Sequence, residues 1–279
     1  MGIDDVLKLF PFDRASQWAR HSNGGGWVRK SAKVSSRAFV GPNALVFGGA
    51  QVSGRSHVFD RARVFGNAWV YGHACVFGEA QVYDNAQVFG DSRVFGNARV
   101  SGRAQVYGDA QVFDWTCVSG GARVYGRVRV FDEAQVYDYA RVYGDAQVFN
   151  GAQVYDTARV FDRAQVSDNA RVYEKARVYD DALVFDHARV SSRARVFDRA
   201  QVYGNSQVFN NAQVSGISRV YDRAQVYGKA QVFGTSQLSG DVRVSGDACI
   251  SEAEHFLCIG PIGSRNAILT AYRTAAGVG

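Results

Sequence analysis

Proline is almost missing from this sequence, at three residues in 279, and methionine occurs once. Cysteine is nearly as sparse. Cys75, Cys117, Cys249 and Cys258 are scattered, with no CxxC and no Cys/His pairing at metal-ligand spacing. That excludes a disulfide framework and the usual zinc sites, and it reads as free thiols in a reducing compartment. No run of eighteen apolar residues occurs, so no membrane insertion is expected. The N-terminus also lacks a basic-then-apolar signal. The expected location is the cytoplasm, or a virion if the chain is phage-encoded. A net charge of +6 and a pI near 9.2 permit a polyanionic partner without requiring one.

What fills the chain instead is one six-residue phrase, running from Ala32 to Ala253 without a slip. Ala62-Arg-Val-Phe-Gly-Asn and Ala140-Arg-Val-Tyr-Gly-Asp show the rule: small, polar, Val, aromatic, Gly or Asp, polar. The 37 hexads keep Val at position three except at Leu238 and Ile250. Position one is Ala apart from Ser56, Ser92, Thr116, Val128, Ser206, Ser218, Ser236 and Val242.

Side chains alternate faces along a strand, so positions one and three share one face and positions two and four the other. Position two is Gln fifteen times and Arg thirteen times. A column of such groups cannot fill a core without large unsatisfied polar costs. Ala and Val therefore point inward, and the aromatics point out. Gly, Asp and Asn at positions five and six suit a corner, because they tolerate positive φ. Four strand residues plus a two-residue corner make one side of a prism. A single side cannot bury its apolar face, so the sides wrap and stack. The expected fold is all-β: a three-sided parallel β-helix, or β-solenoid, of about twelve 18-residue coils. At ~4.8 Å per coil it makes a rod roughly 60 Å long.

In Val64-Phe-Gly-Asn-Ala68-Trp the sequence resembles the hexapeptide-repeat proteins, whose motif puts an aliphatic residue first and a small or β-branched residue fifth. The resemblance covers about four-fifths of the chain and implies a left-handed parallel β-helix. Phe, Tyr or Ser stands where that motif has Gly, Ala, Glu or Asp. The alternative is a right-handed three-sided helix, as in bactofilin-like filament proteins.

Residues 1–31 do not repeat and are expected to cap the first coil. Asp4 to Phe10 reads as a short helix with acids at its positive end and Pro11 stopping it. Ala15 to Arg20 adds a further turn, and Trp27-Val28 begins the first coil. The Gly25-Gly-Trp-Val28 entry resembles that of bacterial hexapeptide proteins labelled putative acyltransferases. Residues 254–279 read as strand, turn and strand, a hairpin-like C-terminal cap. The segment Ile259-Gly-Pro-Ile-Gly-Ser-Arg265 resembles the tail of bacterial and phage repeat proteins in which further strands follow, which implies a chain continuing past Gly279.

Position four runs in columns of period 18. Phe59, Phe77, Phe95, Phe113, Phe131 and Phe149 form one unbroken stripe. Stacked aromatics stabilise neighbouring coils. So large an apolar exterior also suggests self-association into a homo-oligomer through this stripe. A second column is Arg123, Arg141, Arg159, Arg177 and Arg195 at position two, beside Tyr125, Tyr143, Phe161, Tyr179 and Phe197. It reads either as a salt-bridged surface, since Asp162, Asp180 and Asp198 follow their Arg by three residues, or as a site for an extended polyanion or glycan.

Hexapeptide acyltransferases place a His in a cleft between subunits, often with a loop interrupting the repeat, so the resemblance implies acyl transfer as an alternative function. This repeat has no interruption. His57, His73 and His187 are isolated, with neither the orienting partner nor the cleft that a general base needs. Asp114 with Asp132, and Asp168 with Asp186, stack on corners, yet two carboxylates fall short of a calcium shell. No catalytic residue, metal ligand or cofactor is assigned. The function expected is a non-enzymatic scaffold.

Overall fold

The computed structural model describes residues 1–252 in full and, as backbone alone, the strands Phe256–Ile262, Ala267–Thr274 and Gly277–Val278. The chain forms two compact units, Met1–Glu133 and Ala134–Gly279. Each is a β-solenoid of three parallel sheets, and together they hold about twelve 18-residue coils. In the first unit Val40, Val58, Val76, Val94, Val112 and Val130 are successive register partners on one sheet. In the second, Val142, Val160, Val178, Val196, Val214 and Val232 follow the same step.

The period explains the core. From Ala38 onward the position-one and position-three side chains are buried in both units, as with Ala62, Val64, Ala140 and Val142. The hydroxyls that replace Ala in this bore are satisfied locally. Ser56 donates to the Ser53 carbonyl at 2.8 Å, and Ser206 to the Tyr203 carbonyl at 2.7 Å. These serines therefore cost little, since a buried hydroxyl is expensive only when unpaired.

Strands of the repeat are mostly shorter than the four residues expected, and only Arg123–Gly126 and Arg141–Gly144 reach that length among the described residues. Most span positions two and three alone, as in Arg63–Val64 and Gln81–Val82. The reason lies in the turn: the position-one amide donates back to the position-four carbonyl three residues earlier, as Ala62 does to Phe59 at 3.2 Å. The corner thus takes up positions four to one. Coils remain laddered through amides at positions two, four and six; Arg61, for example, donates to the Gly78 carbonyl at 2.8 Å.

The N-terminal segment covers the first coil. The helix Ile3–Leu9 is followed by a single 3-10 turn, Ala15–Gln17. Residues Trp18–Arg20, expected to extend that turn, instead form a strand antiparallel to Trp27–Arg29. Packing overrides the local preference here. Trp18 is buried with Val6, Trp27 and Leu45, and its indole donates to Asp13 at 3.1 Å. Leu45 holds an outward position of the hexad yet is buried, because the cap covers it.

Past the repeat, Phe256–Ile262 pairs antiparallel with Ala267–Thr274, which pairs in turn with Gly277–Val278. The capping contacts expected of residues 254–279 lie outside the described residues. Cys75, Cys117 and Cys249 are free thiols. Among the described residues no helix is long and apolar enough to cross a membrane.

Candidate functional site

The hexad fixes which side chains can meet another molecule. Position-four rings are outward, but they are half-buried because each lies flat on the next. In the first unit Phe59, Phe77, Phe95, Phe113 and Phe131 stack with centroids 4.8–5.0 Å apart and planes within 2–4°. Arg129 lies over the last two rings, 5.6 and 5.1 Å from their centroids. Phe149 holds the same position in the second unit, and Ser167 follows it, 8% exposed. Ring faces are thus taken up within a column, and the edges remain for a partner.

The arginine row belongs to a different sheet. In the second unit Arg141, Arg159, Arg177 and Arg195 are register partners in consecutive coils. Arg123, in the first unit, partners Gln105. Among the described residues none of these guanidinium groups has an ion-pair partner. The expected alternative, a salt bridge from the acid three residues on, does not form. Asp180 and Asp198 direct their carboxylates to backbone amides one coil further, those of Asp198 and Gly216, at 3.2 and 2.9 Å.

The rings beside the row stack as well. Tyr143, Phe161, Tyr179 and Phe197 lie 4.8–5.1 Å apart. Tyr125 stacks on Tyr107 in the first unit. Burial pushes the Tyr179 hydroxyl above its ordinary pKa, although Arg195 and Arg177 pull it down. The charges of Asp180 and Asp198 also push it up, so the neutral hydroxyl adds no negative charge beside the arginines.

The histidines are spread out. His57 partners Phe39 and Cys75 on one sheet, and its ring lies 5.5 Å from that of Phe39. Contrary to the expectation of no partner, His73 pairs with Asp91, one coil on, at 3.3 Å, with both side chains largely exposed. Burial raises the Cys75 thiol above its ordinary pKa, so it is not an activated nucleophile. Among the described residues no group of three His, Cys, Asp or Glu is placed to hold a metal ion.

In the second unit a corner carrying Glu174, Lys175, Ser192, Arg193, Asn210 and Lys229 forms an open groove of about 830 Å³. Position five has a positive φ from Gly48 to Gly246, and Glu174, Ser192 and Asn210 hold it at 56°, 58° and 60°. Three successive coils with neither Gly nor Asp there were the available signal.

Two segments of the chain, residues 92–108 and 164–176, match the family described as YdcK Beta solenoid repeat. No curated protein matches the chain.

Proposed function

We propose that the protein is a non-enzymatic scaffold, a β-solenoid that displays fixed rows of side chains to partners, further copies of itself included. The observation that carries this reading is how the hexad divides its groups. Positions one and three are sealed in the bore, position-four rings lie on their own column, and position-five acids hold the next corner. Positions two and six are left outward at the spacing of the coils. Rigid, regular display suits a docking surface. Acyl transfer would need a base oriented in a concave site, and for this chain it rests on fold analogy alone. Solution mass and electron microscopy of the particles test the proposal. Regular assemblies, or a stable complex with a partner, are expected. Acyl transfer to an acceptor at a useful rate would overturn it.

A second reading is favoured by one observation, the unpaired arginine row. Four guanidinium groups in register, with no ion-pair partner among the described residues, support binding of an extended polyanion or glycan along that sheet.

A further inference from the structure

The groove in the second unit lies beside the arginine row. Each time the chain leaves this corner, at Thr157, Lys175 or Arg193, it places an arginine two residues later, at Arg159, Arg177 and Arg195. The basic row therefore runs along one flank of the groove.

The groove itself offers donors in line. Elsewhere a position-five Asp accepts the amide of the next corner, and here Asp156 does so for Glu174 at 3.0 Å. Beyond Glu174 that device stops. No described group accepts from the amides of Ser192, Asn210 or Gly228, which follow one another at the coil repeat. Free amides of this kind recur at the Gly72 and Gly90 corners, but here they coincide with a groove and with cations. Among the described residues Lys175 and Arg193 have no carboxylate partner, and Lys229 meets Asp247 only at 3.8 Å between exposed side chains. Amides without an acceptor, set beside cations, suit an oxyanion. At the other end Glu174 presents a carboxylate with no partner among the described residues, an acceptor for hydroxyl groups.

We propose that this corner groove seats an acidic glycan, a polysaccharide bearing carboxylate or sulfate groups. The proposal deepens the polyanion reading and rests on it for the arginine flank. A glycan supplies both the anionic groups for the Ser192 to Gly228 amides and the hydroxyls for Glu174. A nucleic acid matches less well, because it would gain from stacking its bases on aromatic faces. Those faces are covered: Tyr155 lies on Tyr173 at 5.0 Å, and Phe209 on Tyr227 at 4.9 Å. Where the column skips a ring, at Ser191, the serine itself is only 7% exposed.

The test uses the full chain and calorimetry at low salt. The probes are an oligogalacturonate, a heparin-derived oligosaccharide and an oligothymidylate of matched charge; the first two separate carboxylate from sulfate recognition. The informative variant is Ser192→Asp. Asp is already used at this position, so it should hold the Asn210 amide and place a negative charge in the groove while the fold stays intact. At least one glycan should bind, and Ser192→Asp and Lys175→Gln/Arg193→Gln should each weaken it tenfold or more without lowering the melting temperature. The triple change Arg141→Gln/Arg159→Gln/Arg177→Gln should weaken it less. Absence of glycan binding, or binding indifferent to both groove variants, overturns the proposal. If only the triple change matters, the arginine-row reading survives and the groove assignment falls. If oligothymidylate binds as tightly and is lost in the groove variants, the glycan assignment is wrong.

Discussion

The carboxylate of Asp180 accepts the backbone amide of Asp198, eighteen residues on, at 3.2 Å, and Asp198 repeats the contact on Gly216 at 2.9 Å. The same contact joins Asp60 to Gly78 and Asp84 to Gly102 in the first unit. Position five must adopt a positive φ, which favours Gly, Asn and Asp. Asp adds an acceptor for an amide that the backbone ladder leaves over. The alternation of Gly and Asp at this position is therefore a choice between relaxed backbone and a link between coils.

A substitution series at Asp198 separates these two effects. Asp198→Gly loses the acceptor but relaxes the backbone, and should cost under about 1 kcal/mol. Asp198→Ala loses the acceptor and keeps the strain of its 58° φ, and should cost roughly 1–3 kcal/mol. Equal losses in urea melts would show that φ does not set the choice.

The core is the least tolerant region. Val142 is fully buried, so Val142→Asp places an unpaired carboxylate in the bore and should cost about 4 kcal/mol or more. Gln147, half-exposed at position two, should accept Lys for under about 1 kcal/mol. Comparable melting temperatures for the two variants would contradict the inward and outward faces.

Asp114 gives a pH signature. Burial, then the charge of Asp132 and a shared side-chain hydrogen bond, push its carboxyl above the ordinary value, and a bond from the Asp132 backbone only partly offsets this. The folded state therefore holds this proton more tightly than the unfolded chain. Its contribution to stability falls as pH rises from the ordinary carboxylate pKa through the raised one. Asp114→Asn should melt higher than the native protein near pH 7, with the difference gone near pH 3, where both side chains are neutral. A native-like melting curve at both pH values would count against a shared proton.

For the phenylalanine stripe, Phe95→Ser/Phe113→Ser/Phe131→Ser removes three stacked pairs within the first unit. At roughly 0.5–1.5 kcal/mol each, the loss should be a few kcal/mol. Particle mass should fall if the exposed ring edges join copies. An unchanged mass with a lowered melting temperature would make the stripe purely a device for holding coils together.

The arginine row is tested by salt. Affinity of the native protein for a polyanion should fall steeply with ionic strength, and the slope should flatten in Arg141→Gln/Arg159→Gln/Arg177→Gln. Identical slopes would leave the row a solvated face.

Much of the architecture was legible because the period constrains it. Val at every third place of the hexad and Gln or Arg beside it leave one way to separate core from solvent. The strand length was not legible, because the back-bond from Ala62 to Phe59 depends on turn geometry rather than residue type. Nor was the fate of Asp180. Its spacing to Arg177 suggests an ion pair, and only the stacked corner shows an amide nearer to hand. Trp18 was misread for a similar reason, since its burial against Leu45 involves residues far apart in sequence. The groove at Ser192 depends on five separate corners lining up, which no local pattern marks.

The local pattern has six residues, but the partners in every column stand eighteen apart. A gain or loss of eighteen residues inside a unit would leave each ring, acid and arginine facing its own kind. A change of six would keep every hexad correct in itself and bring one sheet's residues into another sheet's columns. Phe95 would then no longer stand over Phe77, and Arg177 would no longer follow Arg159. The chain therefore has a reading frame of eighteen, and the natural step by which such a protein lengthens is one whole coil.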